Sequence, residues 1–378
     1  MQLPLSITRG IRCGMAALMA FAAGTGVAQP APIKVGISAG LSGGQAQYSR
    51  DVTRGIEACF AAINKQGGIG GRALQLVAED DGGKRDQVVA NTKKLVEQHK
   101  VVALIGYTSG AGVEASLSYI DGQTVPLIGP VTGNMGIRAQ HHKNLFHTRA
   151  GYGEEMRRMI GVLANTGVKR FAIAFLDDVG PANPQSMKDA LAQNGLTPVA
   201  EVPLNRNAEE FSAPVTQLLE SRPDAVVFIS NAKPIAQIVK GMRARGYAGQ
   251  FATSSFSGLG IVDELKEGGR GLIMSQVLPP PTKTNLRVIA DYQKHLKELD
   301  AEAKPNYTSL ESYIAARVLA EGIRRAGPGA SPERIVAALD TMATFDLGGY
   351  EVHFSPSSHD GSRRVDTAVV TAEGKLLF

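Results

Sequence analysis

Two overlapping stretches of this chain match Gly-x-Ser-x-Gly, the pattern in which many hydrolases carry a nucleophilic serine. They span residues 36–40 and 40–44, with Ser38 and Ser42 at their centres. In a hydrolase this serine occupies a sharp turn between a strand and a helix. Here Ser38 falls inside a predicted strand, and no helix follows either motif directly. We interpret the segment as a glycine-rich turn whose amides lie close to a ligand, with an exported serine hydrolase as a distant alternative.

Histidine and cysteine are the other residue types that could do chemistry. His141, His142 and His147 have no Cys, Asp or Glu nearby at metal-ligand spacing. We therefore expect solvated loop histidines, no metal site and no cofactor. Cys59 lies beside Phe60 in a predicted helix, where a buried and unreactive thiol is typical.

Two predicted strand-to-helix loops carry hydroxyl groups and backbone amides that suit an anion. The first loop contains Tyr107, Thr108 and Ser109, and either hydroxyl residue, Thr108 or Ser109, can cap the following helix. The second loop consists of Val131, Thr132 and Gly133. Because the free N–H groups and dipole at a helix start attract negative charge, these loops predict a site for a ligand carboxylate.

The elements that must position these loops alternate between strand and helix. Hydrophobic periodicity predicts strands at 33–38, 73–79, 101–105, 126–129, 171–176, 198–202, 225–230, 271–275 and 365–371. It predicts helices at 48–64, 86–99, 111–120, 153–165, 183–193, 208–220, 234–245, 286–299, 309–326 and 332–339. Such alternation is typical of an α/β fold with parallel sheets covered by helices on both faces. Two such sets predict two lobes and a cleft, with ligands beyond the carboxyl ends of the strands.

Composition excludes several other classes of protein. The chain has 378 residues, of which 43% are hydrophobic, a length that predicts two domains. Its 40 basic and 35 acidic residues are interleaved, whereas nucleic-acid-binding proteins concentrate basic residues on one element. We expect no nucleic-acid partner.

The first 28 residues have the three parts of a secretory signal. Arg9 and Arg12 precede an apolar stretch at 13–23, and small residues at 26–28 predict cleavage before Gln29. The apolar stretch is shorter than the about 20 residues that a membrane-spanning helix needs. We therefore expect an exported, soluble periplasmic protein. Cleavage removes Cys13 and leaves Cys59 as the sole thiol, so no internal disulfide can form.

A series of segments in characteristic order carries a family resemblance. They are AINKQGGIGGR at 62–72 with the acidic pair at 80–81, VPLIGPVTG at 125–133, RAGYGEE at 149–155, PDAVV at 223–227, SQVLPPP at 275–281, FDLGGY at 345–350, FSP at 354–356 and GS at 361–362. In this order the chain resembles the periplasmic substrate-binding proteins of ABC importers of the branched-chain amino acid type, the leucine-binding protein family.

The resemblance implies a type I periplasmic binding protein fold with three crossing segments. Lobe 1 would comprise residues 32–148 and 276–352, and lobe 2 residues 149–275 and 353–378. It also implies a binding protein without enzymatic activity, which traps a small ligand by lobe closure and delivers it to an ABC permease in the inner membrane. We expect the mature protein to be a monomer.

The resemblance further implies a set of ligand-binding residues. The carboxylate-binding loops of the family match Ser42, Tyr107, Thr108, Ser109, Val131, Thr132 and Gly133. Tyr152 is similar to the family's aromatic residue that packs on the ligand from lobe 2. Tyr48 and Phe256 lie in loops that can also face the cleft.

This sequence departs from relatives that bind an α-amino acid. They place an acid or tyrosine after the lobe 2 strand that corresponds to 225–230, where this chain has Asn231 and Lys233. A lysine ammonium cannot accept a hydrogen bond from a ligand amine and repels it. Asp178 could bind an amine, although we expect it to cap a helix. Our hypothesis is an aromatic or other organic acid without an α-amine, with a branched-chain or other amino acid as the close second.

Overall fold

The computed structural model describes Met1 and residues 30–378. The body of the predicted export signal, its cleavage site and Cys13 therefore lie outside the described residues. Within the described part of the chain, no helix is long and apolar enough to cross a membrane.

The first lobe is built on a parallel sheet of five strands. The strands are β1 (Ile33–Ala39), β2 (Leu74–Asp80), β3 (Ala103–Ile105), β4 (Leu127–Ile128) and β5 (Leu145–Phe146), in the spatial order β2-β1-β3-β4-β5. The helices between them are α1 (Ala46–Lys65), α2 (Arg85–Glu97) and α3 (Gly110–Gln123). Strand–helix alternation with parallel pairing places the loops that follow the strands along one edge of the sheet.

The second lobe repeats this design with a larger sheet. Its helices are α4 (Tyr152–Asn165), α5 (Ala182–Ala192), α6 (Ser212–Glu220), α7 (Ala232–Ala244) and α8 (Gly260–Leu265). Its parallel strands are β6 (Phe171–Leu176), β7 (Pro198–Leu204), β8 (Ala225–Ile229), β9 (Gln250–Thr253) and β10 (Ile273–Gln276). Along β8, Val226 and Phe228 enter one hydrophobic core, whereas Val227 and Ile229 enter another. Both faces of this sheet are therefore covered.

The chain then returns to the first lobe and finally crosses back. The returning elements are α9 (Arg287–Leu299), α10 (Tyr307–Ala326), α11 (Pro332–Asp340) and the hairpin of β11 (Ala343–Asp346) and β12 (Glu351–Phe354). Strands β13 (Asp366–Val370) and β14 (Leu376–Leu377) complete the second sheet, whose order is β14-β13-β10-β9-β8-β6-β7. Strand β13 pairs antiparallel with both neighbours. The chain passes between the sheets after β5, β10 and β12, which confirms two α/β lobes with three crossing segments.

A glycine at the end of β4 brings helix α10 close to the first sheet. Gly129 has a φ of +55°, a conformation that side-chain-bearing residues rarely adopt. A Cβ atom there would lie 2.4 Å from the Cβ of Ala315 on α10. This approach places the middle of α10 against the end of β4.

Candidate ligand-binding site

The loop after β1 is held by a carboxylate on the neighbouring strand. Asp80 ends β2, and its Oδ1 accepts N–H hydrogen bonds at 2.8–3.2 Å from Leu41, Ser42 and Gly82. Hydrogen bonds lower the pKa of Asp80; the bond from Ser42 has the largest effect and the bond from Gly82 the next largest. Ser42 itself is exposed. The structure therefore places this predicted site residue at the surface, in a loop of fixed conformation.

The loop after β3 turns its tyrosine into the core. The Tyr107 ring is fully buried, its hydroxyl lies 3.0 Å from Thr92 Oγ1, and burial raises its pKa. Only its backbone reaches the next loop, because the Tyr107 carbonyl accepts the N–H of Val131 at 3.0 Å. The side chain of this predicted site residue thus packs inside lobe 1.

The two hydroxyl residues that follow Tyr107 begin helix α3. Ser109 is the N-cap, and its Oγ accepts the N–H of Gly112 at 3.1 Å. This confirms the predicted cap. Thr108 is half-buried beside it.

The loop after β4 joins the two lobes. Tyr48 lies on α1 rather than in the predicted loop, and it donates its hydroxyl to the Val131 carbonyl at 3.0 Å. The hydroxyls of Thr132 and Tyr152 are 3.5 Å apart, and the Gly133 carbonyl accepts the N–H of Tyr152 at 2.7 Å. A Cβ atom at Gly133 would lie 2.4 Å from Tyr152 Cδ1. The structure therefore brings these five predicted site residues together.

Two predicted aromatic residues stack on each other in lobe 2. The Tyr152 and Phe256 ring centroids are 5.6 Å apart, with an interplanar angle of 22°. Tyr152 is buried, which raises its pKa, whereas Phe256 is half-buried. We call this pair the aromatic wall.

Asp178 does not cap a helix, so that prediction is wrong. Helix α5 begins after Pro181, and both Asp178 oxygens instead accept hydrogen bonds at 2.6 Å from Arg206. The loops meet because β6 and β7 are parallel neighbours, so the residues that follow them lie at the same edge. Asp178 is exposed, and its charge is already compensated.

The loop after β8 contains buried acceptors that lack partners. Asn231 is the N-cap of α7 without a side-chain capping bond, and Lys233 is exposed in the first turn. Asn231 Oδ1, Ser230 Oγ and Ser254 Oγ are buried without a hydrogen-bond partner among the described residues. Ser254 follows the adjacent strand β9, and its N–H donates to the Phe228 carbonyl. These acceptors therefore lie at the ends of neighbouring strands.

A buried charge cluster beside the aromatic wall was not assigned a role from the sequence. We use this name for Arg149, Glu155 and Glu311, which are 4%, 0% and 6% exposed. Arg149 Nη2 donates to Glu155 Oε1 at 2.5 Å, and Arg149 Nη1 lies 3.5 Å from Glu311 Oε2. Glu155 also accepts hydrogen bonds from the hydroxyls of Ser255 and Ser275.

The pKa values of Arg149 and Glu311 are both raised, for different physical reasons. Burial acts to lower the pKa of Arg149, but Glu311 and Glu155 outweigh it, so that pKa is raised. Burial raises the pKa of Glu311, whose Oε1 has no hydrogen-bond partner among the described residues. The signal available in the sequence was an arginine and a glutamate inside a segment rich in small residues at 149–155. Glu311 lies on α10, far along the chain. Its position in the predicted helix at 309–326 does not distinguish it from an ordinary helical residue.

The side chains with other possible chemistry are engaged in structural contacts. Ser38 is buried in β1 and donates to Asp81 Oδ2 at 2.9 Å. Burial raises the pKa of Cys59 to about 12, which agrees with an inert thiol.

The expectation of solvated histidines is confirmed for His141 and wrong for two others. His142 Nδ1 lies 2.8 Å from Asp121 Oδ2, and His147 is buried. The cause is the third crossing segment, since the N–H of His147 donates to the carbonyl of His359. No group of three metal-ligating side chains occurs in the part of the chain that the structure describes.

Comparisons with known proteins agree with this architecture. The family model described as periplasmic binding protein matches residues 32–375. The "Leu/Ile/Val-binding protein homolog 3" of Brucella melitensis is 27% identical over 330 residues, 85% of this chain and 87% of that protein.

Two solved structures are similar over most of their length. A substrate-binding periplasmic protein from Ralstonia solanacearum has a TM-score of 0.83 and 30% identity, over 91% of this chain and 99% of that one. An ABC transporter solute-binding protein from R. palustris, in complex with 4-hydroxybenzoate, has a TM-score of 0.78 and 20% identity, over 91% and 95%. With a family model that covers nearly all described residues, the chain belongs to the periplasmic binding proteins, as a non-enzymatic solute-binding protein of the branched-chain amino acid type.

Proposed function

We propose that this protein captures a small carboxylate-bearing solute between its lobes and delivers it to an ABC permease in the inner membrane. It acts in the periplasm after removal of residues 1–28. Lobe 1, at 32–148 and 276–352, supplies the carboxylate site from the loops after β1, β3 and β4. Lobe 2, at 149–275 and 353–378, supplies the aromatic wall and the loop after β8.

The geometry of lobe 1 supports a carboxylate site. The loop after β1 is fixed by Asp80, and the loops after β3 and β4 are joined by the Val131–Tyr107 hydrogen bond. Ser109 starts helix α3 beside them. A helix start with adjacent backbone amides favours an anion.

We propose further that the solute is an aromatic or other organic acid without an α-amine. The observation that carries this choice is the bidentate pairing of Asp178 with Arg206, which leaves that carboxylate compensated. The loop after β8 adds the amide Asn231 and the cation Lys233 rather than an acid or tyrosine. The aromatic wall supplies a flat apolar surface. The R. palustris protein of the same fold holds such an acid, 4-hydroxybenzoate.

A branched-chain or other amino acid is the second candidate. The Brucella relative is named for leucine, isoleucine and valine. Asn231 Oδ1 and Ser230 Oγ are buried acceptors without partners among the described residues. Acceptors of this kind suit the N–H groups of an ammonium.

Matched pairs of ligands that differ only in the amine test the choice directly. Protein comprising residues 29–378 is unfolded and refolded to remove carried-over ligand. It is then heated with leucine or 4-methylpentanoate, with phenylalanine or 3-phenylpropanoate, and with 4-hydroxybenzoate. A ligand at about 100 times its Kd stabilises the fold by about 2.7 kcal/mol, which raises Tm by several degrees.

We expect the acids to raise Tm and the matched amino acids to leave it unchanged. If the amino acids alone raise Tm, the solute carries an amine and the second candidate is correct. If no carboxylate of the panel raises Tm but neutral amides do, the proposed carboxylate site is wrong.

A further inference from the structure

The guanidinium of Arg149 donates hydrogen bonds to both segments that carry the aromatic wall, helix α4 and the turn that contains Ser255. Its Nη2 donates to Glu155 Oε1 at 2.5 Å and to Ser255 Oγ at 2.7 Å, and its Nε donates to the Ala150 carbonyl at 3.0 Å. Ser255 Oγ in turn donates to Glu155 Oε1 at 2.9 Å. Arg149, Glu155 and Ser255 therefore form a closed triangle of charge-assisted hydrogen bonds, which are stronger than neutral ones.

Each ring of the aromatic wall is tied to this triangle. The Arg149 guanidinium carbon lies 5.7 Å from the centre of the Tyr152 ring, a distance at which a cation interacts with a ring face. Phe256 directly follows Ser255, whose own N–H donates to Glu155 Oε2 at 2.7 Å. The triangle thus fixes one ring through its face and the other through its backbone.

The triangle also connects elements that are distant in sequence. Glu155 lies on α4, Ser255 follows β9, and Ser275 on β10 donates its hydroxyl to Glu155. Arg149 lies in the first crossing segment and reaches Glu311 of α10 in the first lobe. A shift of Ser255 would therefore change the position of Phe256 relative to Tyr152.

We propose that Arg149 and Glu155 are positioning residues, which act through Ser255 to set the stacking of Tyr152 on Phe256 against which the solute packs. This inference rests on the proposed function for its consequence in binding. The geometric part stands apart from it, because it concerns only contacts within the protein.

Ser255→Ala removes the two side-chain hydrogen bonds of Ser255 to Arg149 and Glu155, and it keeps both the buried ion pair and the backbone N–H bond from residue 255 to Glu155. Ser257→Ala is the matched control, because Ser257 lies in the same turn and, although more buried than the half-buried Ser255, donates its hydroxyl to the Ser254 carbonyl at 3.1 Å instead of joining the triangle. The readout is fluorine NMR of 4-fluorophenylalanine placed at position 256, where the ring current of Tyr152 shifts the resonance. Tyr152→Leu in the same protein defines the resonance of an unstacked ring.

We expect Ser255→Ala to move the fluorine resonance towards the Tyr152→Leu value, while Ser257→Ala leaves it in place. Ser255→Thr, which keeps the hydroxyl, restores it. Affinity for the solute falls about 2- to 10-fold in Ser255→Ala, the equivalent of one hydrogen bond, and is unchanged in Ser257→Ala. Arg149→Lys, which keeps the charge but loses the planar fork of donors, shifts the resonance in the same direction.

A resonance that stays in place in both Ser255→Ala and Arg149→Lys, with Tm lowered, overturns the proposal and leaves a purely structural cluster. A moved resonance with unchanged affinity for a bound solute overturns its role in binding. If the wild-type protein binds no carboxylate of the panel, the proposed function fails, and the fluorine result still decides whether the triangle sets the stacking.

Discussion

The two walls of the predicted cleft are made in different ways. In lobe 1 the loops are fixed through backbone atoms, by Asp80 and by the Val131–Tyr107 hydrogen bond, and Tyr107 points into the core. In lobe 2 the wall consists of side chains, Tyr152 and Phe256, supported by buried charges. A backbone wall suits a group shared by many solutes, such as a carboxylate. A side-chain wall can change by single substitutions, so we infer that the choice of solute is made in lobe 2.

The largest effect on stability is expected when the cation that supports the lobe 2 wall is removed. Arg149→Met leaves Glu155 and Glu311 buried without their cation, so the free energy of unfolding falls by about 3–5 kcal/mol. Urea denaturation measures the loss. The control is Arg206→Met, which breaks the exposed pair with Asp178 and costs less than about 1 kcal/mol. Equal losses in the two variants would remove the distinction between a charge-supported wall and an ordinary surface pair.

Gly133→Ala tests the point where the two walls touch. The added methyl group would lie 2.4 Å from Tyr152 Cδ1, and relieving such a contact costs about 1–3 kcal/mol. We expect lower Tm and weaker solute binding, because Tyr152 must move. Gly161→Ala on the same helix as Tyr152 is the control, since nothing lies within 4 Å of its Cβ position. Unchanged binding in Gly133→Ala would show that Tyr152 does not contact the solute.

Asp80→Ala tests the backbone wall of lobe 1. Three N–H groups lose their acceptor. Because the site is exposed, water replaces much of the lost hydrogen bonding, so we expect a stability loss of about 0.5–1.5 kcal/mol. Solute affinity should fall for all carboxylates alike, because the loop is shared by them. Isothermal titration with two different acids measures this. A loss confined to one acid would place solute choice in lobe 1 and contradict the comparison.

The smallest expected effect is a pH dependence of stability that is caused by Glu311. Burial raises the pKa of Glu311 from its ordinary 4.5, so the folded protein holds this proton more tightly than the unfolded chain. The associated stability is present below about pH 4.5 and is lost as pH rises through the raised pKa. Glu311→Gln resembles the protonated form, so its Tm relative to wild type should rise between pH 4.5 and 7. A difference that is constant over this interval would mean that Glu311 does not titrate there.

Much of the fold was predictable because long elements carry clear periodicity. Helix α1 extends over Ala46–Lys65, close to the predicted 48–64, and strand β8 also matches its prediction closely. The two-residue strands β5 and β14 were not predicted, nor were β9, α8 and the β11–β12 hairpin. Such short segments have too few residues to show a period, and their pairing depends on neighbours distant in sequence.

The candidate site was less predictable, since side-chain direction is set by tertiary contacts. Tyr107 follows Gly106, whose φ of +64° turns the chain and sends the ring towards Thr92. Asp178 pairs with Arg206, 28 residues further along the chain. The local sequence around Asp178 does not contain this partner and therefore predicted a helix cap. The sequence located the loops that meet, but not the partners that each side chain finds there.

The burial of Cys59 has a practical consequence for following this protein at work. In protein comprising residues 29–378, Cys59 is the sole thiol, and with a pKa of about 12 it resists alkylating reagents at neutral pH. A cysteine introduced at the exposed position 233 would therefore accept an environment-sensitive dye without removal of the native one. The labelled protein would report solute capture as a change in emission, a reagentless optical sensor built on the natural chain.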